Sequence, residues 1–216
     1  GIRISENSIL SVYDGGATIT GNGLIGGACH DDSDYGLKIR DNSLAALDYI
    51  TVSNNCYGIN VETNSSLNGG GWAGNSSEID YGMIIQGNLK NGIEVQTNSV
   101  LEVEYLLLGG SGTNEGNSSE YDDDALDVSR NSYASLRNSR IEGNFGRAIE
   151  VEYNSNMDLD DTVITGNGIG LDQSDSAISI GNLSTANINR SDVSSGTGGG
   201  ISIWNGSIVR IYETNI

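Results

Sequence analysis

Short phrases of apolar, polar and apolar residues recur along this chain, each opened by glycine or alanine. They are Gly1-Ile2-Arg3-Ile4, Gly36-Leu37-Lys38-Ile39, Gly58-Ile59-Asn60-Val61, Gly92-Ile93-Glu94-Val95, Ala125-Leu126-Asp127-Val128, Ala148-Ile149-Glu150-Val151, Ala177-Ile178-Ser179-Ile180 and Gly200-Ile201-Ser202-Ile203. Period-two alternation of this kind predicts short strands with one buried face. At a fixed offset after the first six phrases comes Asn-Ser, at Asn7, Asn42, Asn64, Asn98, Asn131 and Asn154; Leu183 and Gly206 take that place in the last two. A second alternating segment follows, as in Leu10 with Val12, Ala45 with Leu47, Leu101 with Val103 and Met157 with Leu159. A third closes on an apolar residue three places before another asparagine, as in Ile19 with Asn22, Val52 with Asn55, Ile85 with Asn88, Ile141 with Asn144 and Ile164 with Asn167.

Each turn of the chain therefore reads as three short strands, two asparagine corners and one variable loop. Such fixed self-similarity marks a repeat architecture whose units cannot bury an apolar face alone. Stacked asparagines can run their side-chain amides into a hydrogen-bonded ladder, and asparagine tolerates the left-handed backbone of a tight corner. The asparagines are therefore expected to be corner posts. No stretch sustains a helical period. The 31 glycines and the lack of proline fit short strands broken by Asn, Ser and Gly.

From Gly1 to Ile216 the rung pattern and asparagine corners resemble the right-handed parallel β-helix family, the fold of pectate lyases, polygalacturonases, alginate-active enzymes and phage tailspikes. The resemblance implies an all-β, single-stranded solenoid of about eight rungs. At the interstrand spacing of β-structure it would be roughly 40 Å long. Residues 1–216 read as one domain. The sequence begins inside a strand and stops at Thr214-Asn215-Ile216, so it reads as a piece of a longer helix or as a subunit that stacks end to end. The resemblance says little about activity, because one fold hosts many functions.

Composition narrows the partners. A net charge of −19 with 10 basic residues disfavours nucleic acid and anionic membrane surfaces, and also polyanionic glycans unless a metal ion intervenes. No apolar run predicts membrane insertion. Cys29 and Cys56 lie in corresponding loops of neighbouring rungs, so a disulfide is geometrically plausible and would argue for an oxidising, extracellular compartment; two free thiols are the alternative. The Asn-x-Ser sequons at Asn75 and Asn117 fall in loops and are glycan acceptors if the source glycosylates.

The candidate chemistry is acidic. The outward residue of each first strand forms the column Arg3, Lys38, Asn60, Glu94, Asp127, Glu150, Ser179 and Ser202. The next outward column is Ser5, Arg40, Glu62, Gln96, Ser129, Glu152, Gly181 and Trp204. Glu94, Asp127 and Glu150 thus fall on three successive rungs, flanked by Glu152. Stacked carboxyls raise one another's pKa, and by the resemblance a glycan groove would run along this face. Carboxyls on adjacent rungs suit a retaining glycosidase, and those two rungs apart an inverting one.

The loop acids Asp31, Asp32, Asp34, Asp122, Asp123 and Asp124 form a candidate Ca²⁺ set without a recognised spacing, and solvated loops are the alternative. Trp72, in a glycine-rich insertion, and Trp204 are candidate sugar contacts. The paired-aspartate and Gly-His-Gly phrases of polygalacturonases and the Tyr-Gly-Phe-Asp-Pro-His phrase of alginate epimerases are missing. His30 is the only histidine, which removes a histidine triad or zinc site. Three functions stand: an extracellular structural or adhesive β-helix, which the regular rungs favour; a polysaccharide lyase or glycoside hydrolase; and a Ca²⁺-dependent glycan-binding module.

Overall fold

The structure is a computed structural model describing residues 1–13, 16–25, 28–29, 34–71, 81–110, 116–117, 123–168, 176–194 and 199–216. Among these, the strands form three parallel sheets that the chain visits in turn. The first sheet contains Ile2–Ile4, Tyr35–Ile39, Tyr57–Glu62, Ile93–Gln96, Leu126–Ser129, Ile149–Val151, Ile178–Ile180 and Ile201–Ile203. The second has eight strands, from Ile9–Val12 to Ile208–Tyr212, and the third has seven, from Ala17–Thr20 to Asp192–Val193. Every strand of these sheets pairs with its equivalents one rung away. This is the right-handed parallel β-helix that the repeat implies.

Register is in step throughout. Ile93 pairs with Ile59 and Leu126, and Ile149 with Leu126 and Ile178, so identical roles stack. The interior is a column of aliphatic side chains, among them Leu37, Ile59, Ile93, Leu126, Ile149 and Ile178, all essentially without solvent contact. One short antiparallel hairpin, Leu24–Ile25 with Ala28–Cys29, departs from the rungs. It carries the Cys29–Cys56 disulfide, which joins residues 27 apart in sequence.

The corners refine the sequence reading. At the third-sheet corner the asparagines do form an amide ladder. The Asn88 side-chain amide accepts from Asn55 Nδ2 at 3.1 Å and donates to Asn117 Oδ1 at 2.8 Å, and Asn117 donates to Asn144, which donates to Asn167. At the corner after the first sheet, the asparagines form no continuous ladder; a single amide pair, Asn154 Nδ2 to Asn131 Oδ1 at 2.9 Å, is made among them. Asn7, Asn64, Asn98, Asn131 and Asn154 are exposed and adopt positive φ near 60°. The following serine is buried instead. Ser43, Ser65, Ser99, Ser132, Ser155 and Ser184 accept at Oγ from the backbone N–H one rung earlier, at 3.1–3.2 Å. Asparagine supplies the left-handed turn there, and serine supplies the hydrogen bond.

Asn117, read as a sequon, is a fully buried rung of the amide ladder. It therefore cannot carry a glycan in the folded protein. Asn75 lies outside the described residues.

Candidate functional site

The outer face of the first sheet carries the candidate site. Lys38, Asn60, Glu94, Asp127, Glu150, Ser179 and Ser202 are successive Cα partners, so the predicted column is real. Glu94, Asp127 and Glu150 sit on three adjacent rungs, roughly 4.8 Å apart at the backbone. Each is only partly exposed.

Glu94 is the most heavily bonded of the three. Tyr35, reaching across two rungs, donates its hydroxyl to Oε2 at 2.9 Å; Asn60 Nδ2 donates to Oε2 at 3.0 Å and Asn91 Nδ2 to Oε1 at 3.2 Å. Burial raises the Glu94 pKa, and the bonds from Tyr35 and Asn60 oppose it. The Tyr35 hydroxyl is in turn held far above the ordinary tyrosine range, first by burial and then by the Glu94 charge. Tyr35 and Tyr57 pack ring against ring at 4.7 Å, with Lys38 Nζ 4.8 Å from the Tyr35 centroid. Asn60 is fully buried, and its Oδ1 has no hydrogen-bond partner among the described residues.

Asp127 sits between two acids. Burial pushes its pKa up to about 7, and the charges of Glu94, Glu150 and Glu152 add to the rise; a hydrogen bond with Ser129 opposes it. Beyond it, Arg147 bridges two carboxyls. Nε reaches Asp124 Oδ1 at 2.9 Å and a terminal nitrogen reaches Glu150 Oε1 at 3.0 Å. Both acids are raised chiefly by burial. The Asp124 charge raises Glu150 further, and Arg147 opposes the rise in both.

The predicted residues thus divide. Glu94, Asp127 and Glu150 come together, with Glu152 alongside. Asp124, expected in a calcium loop, is buried against Arg147 beside this stripe. Asp34 lines a surface depression with Arg3, Tyr35, Lys38 and Arg40, well away from Asp124 along the stack, and Asp123 is half-buried. Among the described residues no group of three or more His, Cys, Asp or Glu is arranged to hold a metal ion. Asp31, Asp32, Asp122 and Trp72 lie outside the described residues. Trp204 does project onto the outer face of the first sheet, where its indole Nε1 donates to Ser179 Oγ at 3.3 Å.

Tyr35, Asn91 and Arg147 were not singled out by the sequence. They belong to one further outward column, Tyr35, Tyr57, Asn91, Asp124, Arg147 and Ser176, three residues ahead of the carboxyl column. Simple alternation assigns these positions to the interior. Two consecutive residues turn inward at this bend, as Ala125 with Leu126 and Ala148 with Ile149 do, and the face flips.

Fold and face together define a parallel β-helix with a protonatable carboxyl stripe on one sheet. No protein-family model matches the sequence, and no curated protein matches it. Among solved structures it is similar to the A-module of mannuronan C-5 epimerase AlgE4 from Azotobacter vinelandii, at 11% sequence identity and a TM-score of 0.39, covering 100% of this chain and 82% of that one. Among the described residues no helix is long and apolar enough to cross a membrane.

Proposed function

We propose that this chain is a secreted glycoside hydrolase acting on a polysaccharide laid along the outer face of its first sheet. The observation that carries the reading is Asp127, a partly buried carboxyl whose pKa is pushed up to about 7, directly paired in register with Glu94. A general acid works best with a pKa near the operating pH, and neighbouring carboxyls in unlike environments divide acid from base roles. Asp127 donates its proton to the glycosidic oxygen as the bond to the anomeric carbon breaks. Glu94, oriented by Tyr35, Asn60 and Asn91, attacks that carbon as the carboxylate. Water, deprotonated by Asp127, then releases the sugar and restores both groups. Adjacent-rung spacing suits this retaining course. The Cys29–Cys56 disulfide supports an extracellular setting.

The test is product formation on neutral and acidic polysaccharides, with and without Ca²⁺, read as new reducing ends and unsaturated sugars. The wild-type chain is expected to release reducing ends without unsaturation, and the rate falls as pH rises through about 7. Asp127→Asn and Glu94→Gln each lose on the order of a hundredfold or more. Unsaturated product would replace hydrolysis with elimination. A folded protein that yields nothing on any glycan would sink the enzyme and leave the structural or adhesive reading.

A further inference from the structure

Of the 10 basic residues only Lys38 and Lys90 are lysines, and both stand at the paired tyrosines of the first sheet. Lys38 Nζ lies 4.8 Å from the Tyr35 ring centroid and Lys90 Nζ 5.4 Å from that of Tyr57. One rung beyond Lys38, in register, is Asn60, and one rung beyond Asn60 is Glu94. Neighbours in this column are roughly 4.8 Å apart at the backbone, a gap that the flexible lysine stem spans easily. Asn60 is an outward residue without solvent contact. The inward Leu37, Ile59 and Ile93 of the same three rungs are buried as fully, so an open end of the stack does not set this burial. Asn60 Nδ2 donates to Glu94 Oε2 at 3.0 Å, and Oδ1 accepts nothing among the described residues. Turning the amide over would set Oδ1 against the Glu94 carboxylate, so the bond to Glu94 fixes which atom is bare. Asn91, the other amide that donates to Glu94, is satisfied at both ends, its Oδ1 accepting from the Asp124 backbone N–H at 3.1 Å. Leaving a buried carbonyl bare is costly, and Asn60 does so beside a lysine.

We infer that Lys38 and Asn60 join through an isopeptide bond, with Glu94 as the proton carrier and ammonia as the group that leaves. Glu94 takes a proton from the Lys38 ammonium, and the freed amine attacks Cγ of Asn60 to form the Nζ–Cγ bond. Glu94 hands its proton to Nδ2 and takes a second one from Nζ. The Cγ–Nδ2 bond then breaks and the carbonyl re-forms. Ammonia collects the proton left on Glu94 and departs as ammonium, which restores the carboxylate. One amide replaces another, so no oxidant or reductant is needed. The new amide N–H takes the place of Nδ2–H toward Glu94, and the inference stands whether or not this face cleaves a glycan.

The surroundings favour the reaction. Burial raises the Glu94 pKa, which makes the carboxylate a better acceptor for the ammonium proton, although Lys38, Tyr35 and Asn60 oppose the rise. Arg3, the register partner of Lys38 on the rung before, adds a like charge that favours the neutral amine. Lys38 Nζ rests 3.2 Å from Glu62 Oε1, and Arg40 Nε lies 3.8 Å from the same oxygen. Glu62 therefore keeps a cation when Lys38 swings to Asn60. Holding amine and amide on adjacent rungs makes the attack intramolecular, and the exclusion of water from Asn60 keeps hydrolysis from competing.

The mass of the purified, reduced and denatured chain tests the bond. It should fall about 17 Da below the mass of the sequence, the loss of one ammonia when an amine displaces an amide nitrogen. Trypsin should then release a branched peptide in which residues 4–40, uncut at Lys38, are joined to residues 41–90. Reduction is essential, because Cys29–Cys56 links the same two peptides. Lys38→Arg keeps the charge and cannot form the bond, and Glu94→Gln keeps the shape and cannot carry the proton. Both should show the full mass while folding by circular dichroism; if either fails to fold, the wild-type mass and peptide map decide alone. A folded wild-type chain of full mass overturns the cross-link. So does a branch through Lys90, or a loss of ammonia that persists in Lys38→Arg, the mark of a succinimide at an Asn-Gly pair such as Asn68-Gly69. An unchanged branch in Glu94→Gln overturns the role of Glu94.

Discussion

Replacing Asp127 by asparagine should stabilise this protein, and only above acidic pH. The carboxyl has an ordinary value of 3.8 and is pushed up to about 7 in the fold, by burial first and then by Glu94, Glu150 and Glu152. Below about pH 4 it is protonated in both folded and unfolded chains and contributes no difference. Between about 4 and 7 only the folded state holds the proton, so stability falls as pH rises; above 7 the loss is complete. At about 1.4 kcal/mol per pH unit the full span is about 4 kcal/mol, and partial exposure of the side chain reduces this to about 2–4 kcal/mol. Asparagine keeps the shape and cannot ionise. Guanidinium denaturation of wild type and Asp127→Asn at pH 4, 6 and 8, followed by circular dichroism, measures the gap. The two midpoints should nearly coincide at pH 4 and separate progressively, with the variant more stable at pH 8. Equal midpoints at pH 8, or a variant weaker by one constant margin at every pH, would refute the account of a desolvated, repelled carboxyl.

The two kinds of asparagine should separate cleanly under substitution. Asn88→Ala strands the buried Asn55 amide donors and the Val52 carbonyl, and should cost about 3 kcal/mol or more in urea denaturation. Asn98→Ala touches only an exposed left-handed corner and should cost about 1 kcal/mol. Removing the disulfide by Cys29→Ser with Cys56→Ser opens a loop spanning 27 residues and should lower stability by about 3.5 kcal/mol, with reductant having no further effect on the double variant.

The rungs were legible because a solenoid repeats its burial pattern in sequence: three alternating segments per turn are enough to place nearly every inward side chain. The corners were legible only in part. Asparagine is favoured both where the backbone turns left-handed and where an amide can stack, so its recurrence alone does not separate Asn98 from Asn88. The separating signal was present in the neighbouring serine. Ser184 and Ser207 persist where Leu183 and Gly206 replace the asparagine, as expected if the serine makes the buried bond. Asn117 escaped the pattern because it stands nine residues after Leu108, where the other ladder asparagines follow their apolar residue by three. Within the site, the carboxyl column followed from alternation. Arg147 and Asn91 did not, because the doubled inward step at Ala148-Ile149 and Gly92-Ile93 breaks the period just ahead of them.

Elsewhere on its surface this acidic rod places opposite or neutral partners beside its charges. Glu62 faces Lys38 at 3.2 Å, Arg190 reaches both Asp160 and Asp161, and Asp158 accepts from Tyr133 and Asn187 on the rungs either side. In-register parallel pairing makes such matching easy, since one substitution fixes a partner directly above or below. The same geometry makes like pairs costly, on the order of several tenths of a kcal/mol or more for each facing pair, and more where burial adds to it. Glu94, Asp127 and Glu150 nevertheless stand in one unbroken column, with Lys38 acting on Glu94 and Arg147 reaching Glu150 and Asp124. Serine or threonine at Asp127 would relieve the strain without disturbing the strand. A local rule broken where the fold offers a simple remedy supports the proposed hydrolase reading, which requires a carboxyl that holds its proton near neutral pH.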